Sequence, residues 1–256
     1  MTDNLLLLIH TLVHWDTLAT IWLNGEHTDY WDNFMEICTG RFVWIPFYAS
    51  LVYLMYKKFG WKDASVFFIL TILLLVLNDQ TSSSVIRQAV CRLRPANLDN
   101  PISSVIQIVD GYRGGKYGFP SAHAANSWGL VFLMIYLFRL RTLSVLLVVW
   151  ALLLCYSRLY MGVHYVGDLL AGASLGLLNA TLVCFTVWWY VRNFAQRHRA
   201  TSVSQYTKYI PIAVCVFLSL IHIYRFVNDN FDRPVVFEVF TSQEQDEQAM
   251  NEYKQV

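Results

Sequence analysis

The sequence predicts an all-α fold, a bundle of six transmembrane helices preceded by an N-terminal amphipathic interfacial helix. Hydrophobic residues make up 56% of the chain and charged residues only 14%, whereas soluble domains are about 45–50% apolar and about 25% charged. The apolar residues also occur in runs close to the ~20 residues that a helix needs to cross a bilayer. Polar or basic clusters separate these runs, as expected of turns between membrane spans.

The first 40 residues are predicted to form the interfacial helix. Their apolar run at residues 5–9 is interrupted by His10, Asp16 and Asn24 before it reaches the length of a span. A helix of this kind lies along the membrane surface with its apolar face toward the lipid. The segment contains no Lys or Arg, so it lacks the basic start of a signal peptide, and we expect it to be retained in the mature protein.

Residues 41–226 are predicted to form the membrane domain. A loop rich in Gly, Pro, Asn and Arg, at residues 89–119, divides the first two spans from the last four, and Pro120 fits the first position of the next helix. A polar, acidic tail at residues 227–256 follows the domain. The six predicted spans cover residues 42–56, 64–86, 120–138, 142–160, 165–190 and 209–224.

Lys and Arg residues near the span ends predict the orientation of the bundle. The loops after the first, third and fifth spans carry nine of them. The other face carries ten, but six of these lie in or beside the polar motifs described below, and setting them aside leaves nine against four. We therefore expect the loops after the odd-numbered spans to be cytoplasmic.

Charge and cysteine content limit the partners and cofactors. A formal net charge of +1 gives no reason to expect a nucleic-acid partner. The five cysteines are scattered through apolar stretches without metal-ligand spacing, so we expect neither a metal nor another cofactor. The expected partner is the lipid bilayer.

Three polar motifs interrupt the apolar chain, and the six-span layout places all three at the same membrane face. This coincidence predicts one site built from three distant segments. The motifs are Arg87-x6-Arg94-Pro95, Pro120-Ser121-Ala122-His123 and Ser157-Arg158-x5-His164-x3-Asp168.

His164 and Asp168 form the reactive pair of the third motif. Residues four apart lie on the same face of a helix, so the carboxylate can hold the imidazole by its far nitrogen. An oriented imidazole with one free nitrogen is a nucleophile or a base. Taken alone, the pair would more often be structural, and its catalytic interpretation depends on the neighbouring motifs.

Three arginines, Arg87, Arg94 and Arg158, are predicted to reach the same face. A permanent cation at this depth is costly unless it is paired or hydrated, and the planar guanidinium group suits phosphate. The alternatives are contact with lipid headgroups or pairing with carboxylates. Asp79, eight residues before Arg87, is expected either to line the pocket or, the favoured alternative, to pair with one of these arginines.

The second motif adds a helix start and a second histidine. Ser121 and Ala122 would lie in the first turn, where unpaired N–H groups and the helix dipole attract anions. His123 would point into the same pocket and, as an imidazolium, could protonate a leaving alkoxide. A nucleophile and an acid of this kind allow phosphoryl transfer without a metal.

The motifs resemble the signature K-x6-RP, PSGH and SR-x5-H-x3-D of the type-2 phosphatidic acid phosphatase superfamily, also called lipid phosphate phosphatases. The resemblance implies that His164 is the nucleophile that becomes phosphorylated, that Asp168 orients it and that His123 is the general acid for the leaving group. The phosphate binders that it implies are Arg87, Arg94, Ser121, Ala122 and Arg158.

Two positions depart from that signature. Arg87 stands where the family has lysine, and Ala122 where it has glycine. Both changes leave the two histidines and the aspartate untouched, so we expect activity to be kept while substrate selectivity changes.

The expected function is an integral membrane lipid phosphatase of a bacterial inner membrane, with its active site facing the periplasm or the outside. The loop at residues 89–119 is too short for a separate lid domain, which favours lipids with bulky heads, lipid A or undecaprenyl diphosphate. Phosphatidylglycerophosphate and phosphatidate remain open as substrates, and a non-catalytic lipid-binding protein is the alternative class. The related vanadium haloperoxidases are soluble, so the six spans argue against that activity.

Overall fold

The computed structural model describes residues 2–25, 27–40 and 42–194, and within these residues the secondary structure is helical without a β-strand. The predicted sixth span and the acidic tail lie outside the described residues. The main helices are α1 (Thr2–Asn24), α2 (Asp29–Thr39), α3 (Ile45–Asp79), α4 (Arg87–Val90), α5 (Ala122–Phe138), α6 (Arg141–Tyr160) and α7 (Val166–Asn193). A π-helix, Gln80–Ile86, joins α3 to α4, and a 3-10 turn, Pro101–Ser104, lies in the long loop.

Four helical segments are long and apolar enough to cross a membrane, namely Leu5–Asn24, Ile45–Val90, Arg141–Tyr160 and Val166–Asn193. Helix α5 is apolar but shorter, at 17 residues. The first two predicted spans correspond to the two parts of α3, which is broken at Gly60 (φ 76°). Glycine adopts a positive φ at little cost, so the chain turns there between the two parts. An all-helical membrane protein is confirmed, with the third to fifth spans close to their predicted bounds.

The predicted N-terminal amphipathic helix is not confirmed. The segment contains two helices, and α1 is itself long and apolar enough to span a bilayer. Its polar side chains do not interrupt the helix because their hydrogen bonds are satisfied. The hydroxyls of Thr17 and Thr20 donate to backbone carbonyl oxygens one turn earlier in α1. Asn24 donates to the carbonyl oxygens of Leu159 and Tyr160. The second half of α1 therefore lies against the end of α6 and the start of α7.

Small residues let α5 and α7 approach closely. A Cβ added at Gly172 would collide with the carbonyl oxygen of Ser121, and one at Gly176 with that of Ala125. The N–H of Ser121 donates to the carbonyl oxygen of Asp168 at 2.9 Å. This packing, which is typical of membrane helices, fixes the start of α5 against the first turn of α7.

The basic turns lie together at the opposite end of the bundle. Lys58 donates to the carbonyl oxygen of Phe138 at 2.6 Å, so the break in α3 lies beside the end of α5. Tyr190, near the end of α7, donates to Asp63 at 3.1 Å. The alternation of basic turns and polar motifs predicted from the sequence therefore corresponds to two ends of the described structure.

Candidate active site

The three motifs meet around His164, which lies in the short segment between α6 and α7 and is fully buried. Its Nδ1 is 3.4 Å from Oδ2 of Asp168, a carboxylate that is also fully buried and accepts the N–H of Tyr165 at 3.1 Å. Its Nε2 has no hydrogen-bond partner among the described residues. Buried polar atoms are normally paired, so an imidazole anchored at Nδ1 with Nε2 unpaired is arranged to react at Nε2.

The surroundings of His164 keep its imidazole neutral. Burial, together with the positive charges of Arg94, Arg158 and Arg87, lowers the pKa of His164 well below its ordinary value of 6.5. Only the neutral imidazole has a lone pair to attack with, so the site holds the reactive form at physiological pH.

The three predicted arginines converge on this histidine. Arg94 and Arg158 are buried and Arg87 is half-buried, and none forms an ion pair with a carboxylate among the described residues. The Nε atoms of Arg87 and Arg158 are buried and find no acceptor in the described part of the chain. The other hydrogen bonds of the three arginines go to uncharged groups, the carbonyl oxygens of Pro120, Tyr117 and Val163 and the hydroxyls of Thr39 and Tyr112. Such a cluster is suited to a multiply charged oxyanion.

The arginines also repel one another. Burial and the neighbouring guanidinium groups of Arg158 and Arg87 lower the pKa of Arg94 to about 10, which still leaves it charged at neutral pH. A phosphate dianion placed among the three would relieve this repulsion and pair the unsatisfied donors.

We therefore expect orthovanadate to stabilise the detergent-purified protein. At ~100 times its Kd, a ligand of the folded state contributes about 2.7 kcal/mol, enough to raise Tm by several degrees. The Arg94→Met variant should lose the shift, whereas Arg139→Met, at the opposite end of the bundle, should keep it. Tm would be measured by thermal unfolding with and without vanadate. Equal vanadate-induced shifts in Tm in the two variants would mean that the oxyanion binds outside the arginine cluster.

The second motif differs from its prediction in one respect. Helix α5 begins at Ala122 with Ser121 as its N-cap, so Pro120 lies before the helix and is not its first residue. Serine is the better cap because its Oγ accepts the N–H of Ala124, here at 3.4 Å. Ser121 and Ala122 thus stand at the helix start beside the site, and their contact with phosphate stays a prediction. His123 follows on the first turn and is exposed.

An apolar cavity of about 480 Å³ reaches His123 from between α3, α5 and α6. Leu51, Leu130 and Trp150 line its apolar part. Asp79 lines the cavity, as one of the two expectations had it, and forms no ion pair with an arginine among the described residues, although its charge acts on Arg87 from farther away. Thr39, which lines the cavity, also accepts a hydrogen bond from Arg158 of the arginine cluster.

Sequence reasoning missed three residues that contact the reactive pair or its partner. A Cβ at Gly118 would lie 2.9 Å from Oδ2 of Asp168, so the backbone there closes directly over the carboxylate. Arg92 donates to Oδ1 of Asp168 at 2.9 Å and to Asp16 of α1 at 2.7 Å. The only available signal was that a carboxylate and an arginine within an apolar chain normally seek partners.

The described residues contain no group of three or more His, Cys, Asp or Glu side chains arranged to hold a metal ion.

The chain matches a family model described as the PAP2 superfamily over residues 64–194. It is 46% identical over 170 residues to a lipid A 4'-phosphatase of Bacteroides thetaiotaomicron, an alignment that covers 66% of this chain and 76% of the relative. It is 33% identical over 174 residues to a lipid A 4'-phosphatase of Porphyromonas gingivalis, covering 67% and 72%. It is 30% identical over 166 residues to an undecaprenyl-diphosphatase of Sulfolobus acidocaldarius, covering 64% and 70%.

A solved structure shares the fold. The transmembrane PAP2 type phosphatidylglycerolphosphate phosphatase from Bacillus subtilis superimposes with a TM-score of 0.52 at 20% sequence identity. The match covers 77% of this chain and 96% of that one.

Proposed function

Because this chain belongs to the PAP2 superfamily and is a membrane lipid phosphatase, we propose that His164 is its phosphorylated nucleophile and that lipid A is its substrate. The observation that carries the first part is the buried Nε2 of His164, unpaired among three arginines and anchored from behind by Asp168. A lipid-binding protein without catalysis has no need of a neutral imidazole held in this way.

The proposed reaction has two steps. In the first, the Nε2 lone pair of His164 attacks phosphorus, the bond from phosphorus to the lipid oxygen breaks, and His123 as an imidazolium protonates that oxygen. In the second, His123, now neutral, takes a proton from water as the water oxygen attacks phosphorus. The P–N bond breaks, its electron pair returns to His164, and phosphate leaves. Arg87, Arg94 and Arg158 stabilise the charge that gathers on the equatorial oxygens in both steps, assisted by the start of α5 at Ser121 and Ala122.

The choice of lipid A is supported by the relatives and by the cavity. The two lipid A 4'-phosphatases align at 46% and 33% identity, against 30% for the undecaprenyl-diphosphatase. The apolar cavity beside His123 could accommodate acyl chains while the arginines hold the phosphate. The enzyme would lie in a bacterial inner membrane with this site on the periplasmic side. The reason is that the basic turns are in excess at the other end of the bundle, and basic turns favour the cytoplasmic side.

Phosphate release from a panel of lipids tests this proposal. Detergent-purified protein would be given lipid A, undecaprenyl diphosphate, phosphatidylglycerophosphate and phosphatidate, each with EDTA present, and lipid products would be identified by mass. We expect lipid A to lose its 4'-phosphate fastest. Faster phosphate release from undecaprenyl diphosphate than from lipid A would make undecaprenyl diphosphate the preferred substrate. If no lipid in the panel releases phosphate but vanadate still binds, the substrate is another lipid phosphate. If vanadate also fails to bind, the result favours a non-catalytic lipid-binding protein.

The pH dependence of the first step follows from the low pKa of His164. An imidazole with an ordinary pKa of 6.5 would be roughly three-quarters protonated at about pH 6 and would lose that share of its reactivity. His164 titrates well below 6.5, so its neutral fraction stays near complete between about pH 7.5 and about pH 6. With an activated aryl phosphate in single-turnover experiments, we expect less than a two-fold decline in phosphoenzyme formation over this window. A decline that follows a pKa of 6.5 would contradict the assigned state of His164.

Filling the cavity should affect lipid substrates selectively. Ile72 lines the cavity on α3, whereas Ile69 lies on the same helix outside it, and both side chains are exposed. We expect Ile72→Trp to lower kcat/KM for lipid A about 10-fold, because the acyl chains lose apolar contact area. Turnover of a short-chain soluble phosphate should stay within about two-fold. Ile69→Trp serves as the matched control. Equal effects of the two variants on kcat/KM would show that the cavity does not bind the acyl chains of lipid A.

A further inference from the structure

Asp168 has a charged partner in addition to the neutral imidazole of His164. Its Oδ2 faces Nδ1 of His164 at 3.4 Å and its Oδ1 accepts Nη1 of Arg92 at 2.9 Å. Both Asp168 and His164 are fully buried, and Arg92 is 6% exposed. The carboxylate therefore lies between the Arg92 guanidinium group and the imidazole of His164, buried from bulk solvent.

Arg92 acts on the tautomer of His164 through the charge state of Asp168, alongside a hydrogen bond between the imidazole and the backbone of Gly118. A buried carboxylate without a positive partner favours its protonated, neutral form. Protonated Asp168 could donate to Nδ1 of His164, which would move the ring proton to Nε2 and occupy the lone pair that attacks phosphorus. Ionised Asp168 can only accept, so it holds the proton on Nδ1 and leaves Nε2 reactive.

Arg92 is itself held in place from α1. Its Nη2 donates to Oδ2 of Asp16 at 2.7 Å, and its guanidinium group lies 3.7 Å from the centre of the Tyr165 ring. Oδ1 of Asp16 accepts the N–H of Gly167, in the first turn of α7, at 2.7 Å. A Cβ at Gly167 would lie 2.7 Å from Asp16, so this close approach uses the absence of a side chain there. Asp16 thus ties Arg92 to the helix that carries Asp168.

We propose that Arg92 and Asp16 are positioning residues for catalysis, forming a chain from Asp16 through Arg92 and Asp168 to His164 that keeps Nε2 deprotonated. The N-terminal helix α1 is then part of the catalytic apparatus, since it supplies the carboxylate that fixes Arg92. This inference rests on the proposed function of His164 and extends it to two residues outside the three motifs. The ionisable groups that surround Asp168 are Arg92, His164 and Tyr165, with Arg94, Arg87 and Asp16 farther away.

The test compares Arg92→Gln, Arg92→Lys and Asp16→Asn with Asn24→Ala. Asn24 also fastens α1 to the same face, through Gln107, Leu159 and Tyr160, but it does not touch the chain of charges. Asn24→Ala therefore weakens the attachment of α1 without changing any of the charged groups. For each variant, kcat, KM and the pH profile of kcat would be measured with a short-chain soluble phosphate, alongside Tm.

We expect Arg92→Gln to lower kcat on the order of 100-fold near neutral pH, with KM changed less than about three-fold, because the arginines that bind phosphate remain. Its acidic limb should move up by about one pH unit or more, since Asp168 must now lose its proton before Nε2 is free. Arg92→Lys keeps the charge and should restore most of the wild-type profile at a kcat ~10-fold below wild type. Asp16→Asn should lower kcat about 10-fold with a smaller shift in the same direction.

Asn24→Ala is expected to lower Tm while leaving the pH profile in place. The inference would be overturned if the pH profiles of Arg92→Gln and Asp16→Asn matched that of the wild type. It would also be overturned if Asn24→Ala shifted its pH profile as much as they do. Either result would leave the proposed function standing. Wild-type protein that turns over no phosphate would overturn the proposed function and this inference together.

Discussion

Replacing His164 by alanine should abolish turnover, with phosphate release falling on the order of 10⁴-fold or more. The side chain supplies the atom that bonds to phosphorus, and the described site contains no second imidazole anchored by a buried carboxylate. Residual hydrolysis would come only from the arginines holding the phosphate for attack by water. Phosphate release from lipid A, followed over hours, measures the loss.

The control for this variant must separate chemistry from folding. His164 is fully buried, so truncation leaves a small cavity, and His164→Gln retains more of the volume. Both variants should keep the rise in Tm with vanadate, because the arginines remain. His10→Ala, at an exposed position on α1, should behave as wild type. Substantial turnover by an alanine variant that still binds vanadate would disprove the nucleophile.

His123→Asn should lower kcat for lipid A about 10²–10⁴-fold, the usual contribution of general acid–base catalysis. The loss should depend on the leaving group, because an aryl oxide departs without a proton whereas a sugar alkoxide does not. With an activated aryl phosphate, the first step should therefore stay fast in the variant. The second step still needs a base, so the phosphorylated protein should accumulate.

Rapid-quench measurements of phosphoprotein with both substrates would check this role. His27→Asn offers a matched control, since His27 stacks on Tyr160 near the same face without reaching the cavity. Equal losses on aryl and lipid substrates, without accumulation, would mean that His123 contributes to binding and not to proton transfer.

The sequence predicted the membrane class and three helix positions because these depend on local signals, and the order of the spans then placed the three motifs at one membrane face. Apolar run length and polar breaks located α5, α6 and α7, and the family resemblance is confirmed by the match to the PAP2 superfamily. The spacing of His164 and Asp168 predicted their contact because four residues correspond to one helical turn. The chemical roles of these residues stay predictions.

The same reasoning failed where a contact joins distant segments. Asp16 looked like a break in an apolar helix, yet it is satisfied by Arg92, which lies 76 residues away along the chain. The rule that a carboxylate in an apolar chain seeks a partner was applied to Asp79, which lines the cavity instead. Nothing in a single sequence indicates which carboxylate finds which arginine, because that depends on how α1 packs across the end of the bundle.

Helix ends were the other weakness. The preference of proline for the first helical position predicts that the helix starts at Pro120, whereas the stronger signal is Ser121, whose hydroxyl caps α5. The difference matters for the site, because the N–H of Ser121 donates to the backbone carbonyl oxygen of Asp168 and is not available to phosphate.

The central claim is that phosphate passes through His164, and trapping the intermediate tests it most directly. Wild-type protein would be mixed with lipid A labelled in its 4'-phosphate, quenched in alkali, in which phosphohistidine survives, and digested for mass spectrometry. We predict label on His164 in the wild-type protein and none in His164→Ala. Label on any other residue, or full turnover without labelled protein at the shortest quench times, would contradict the account.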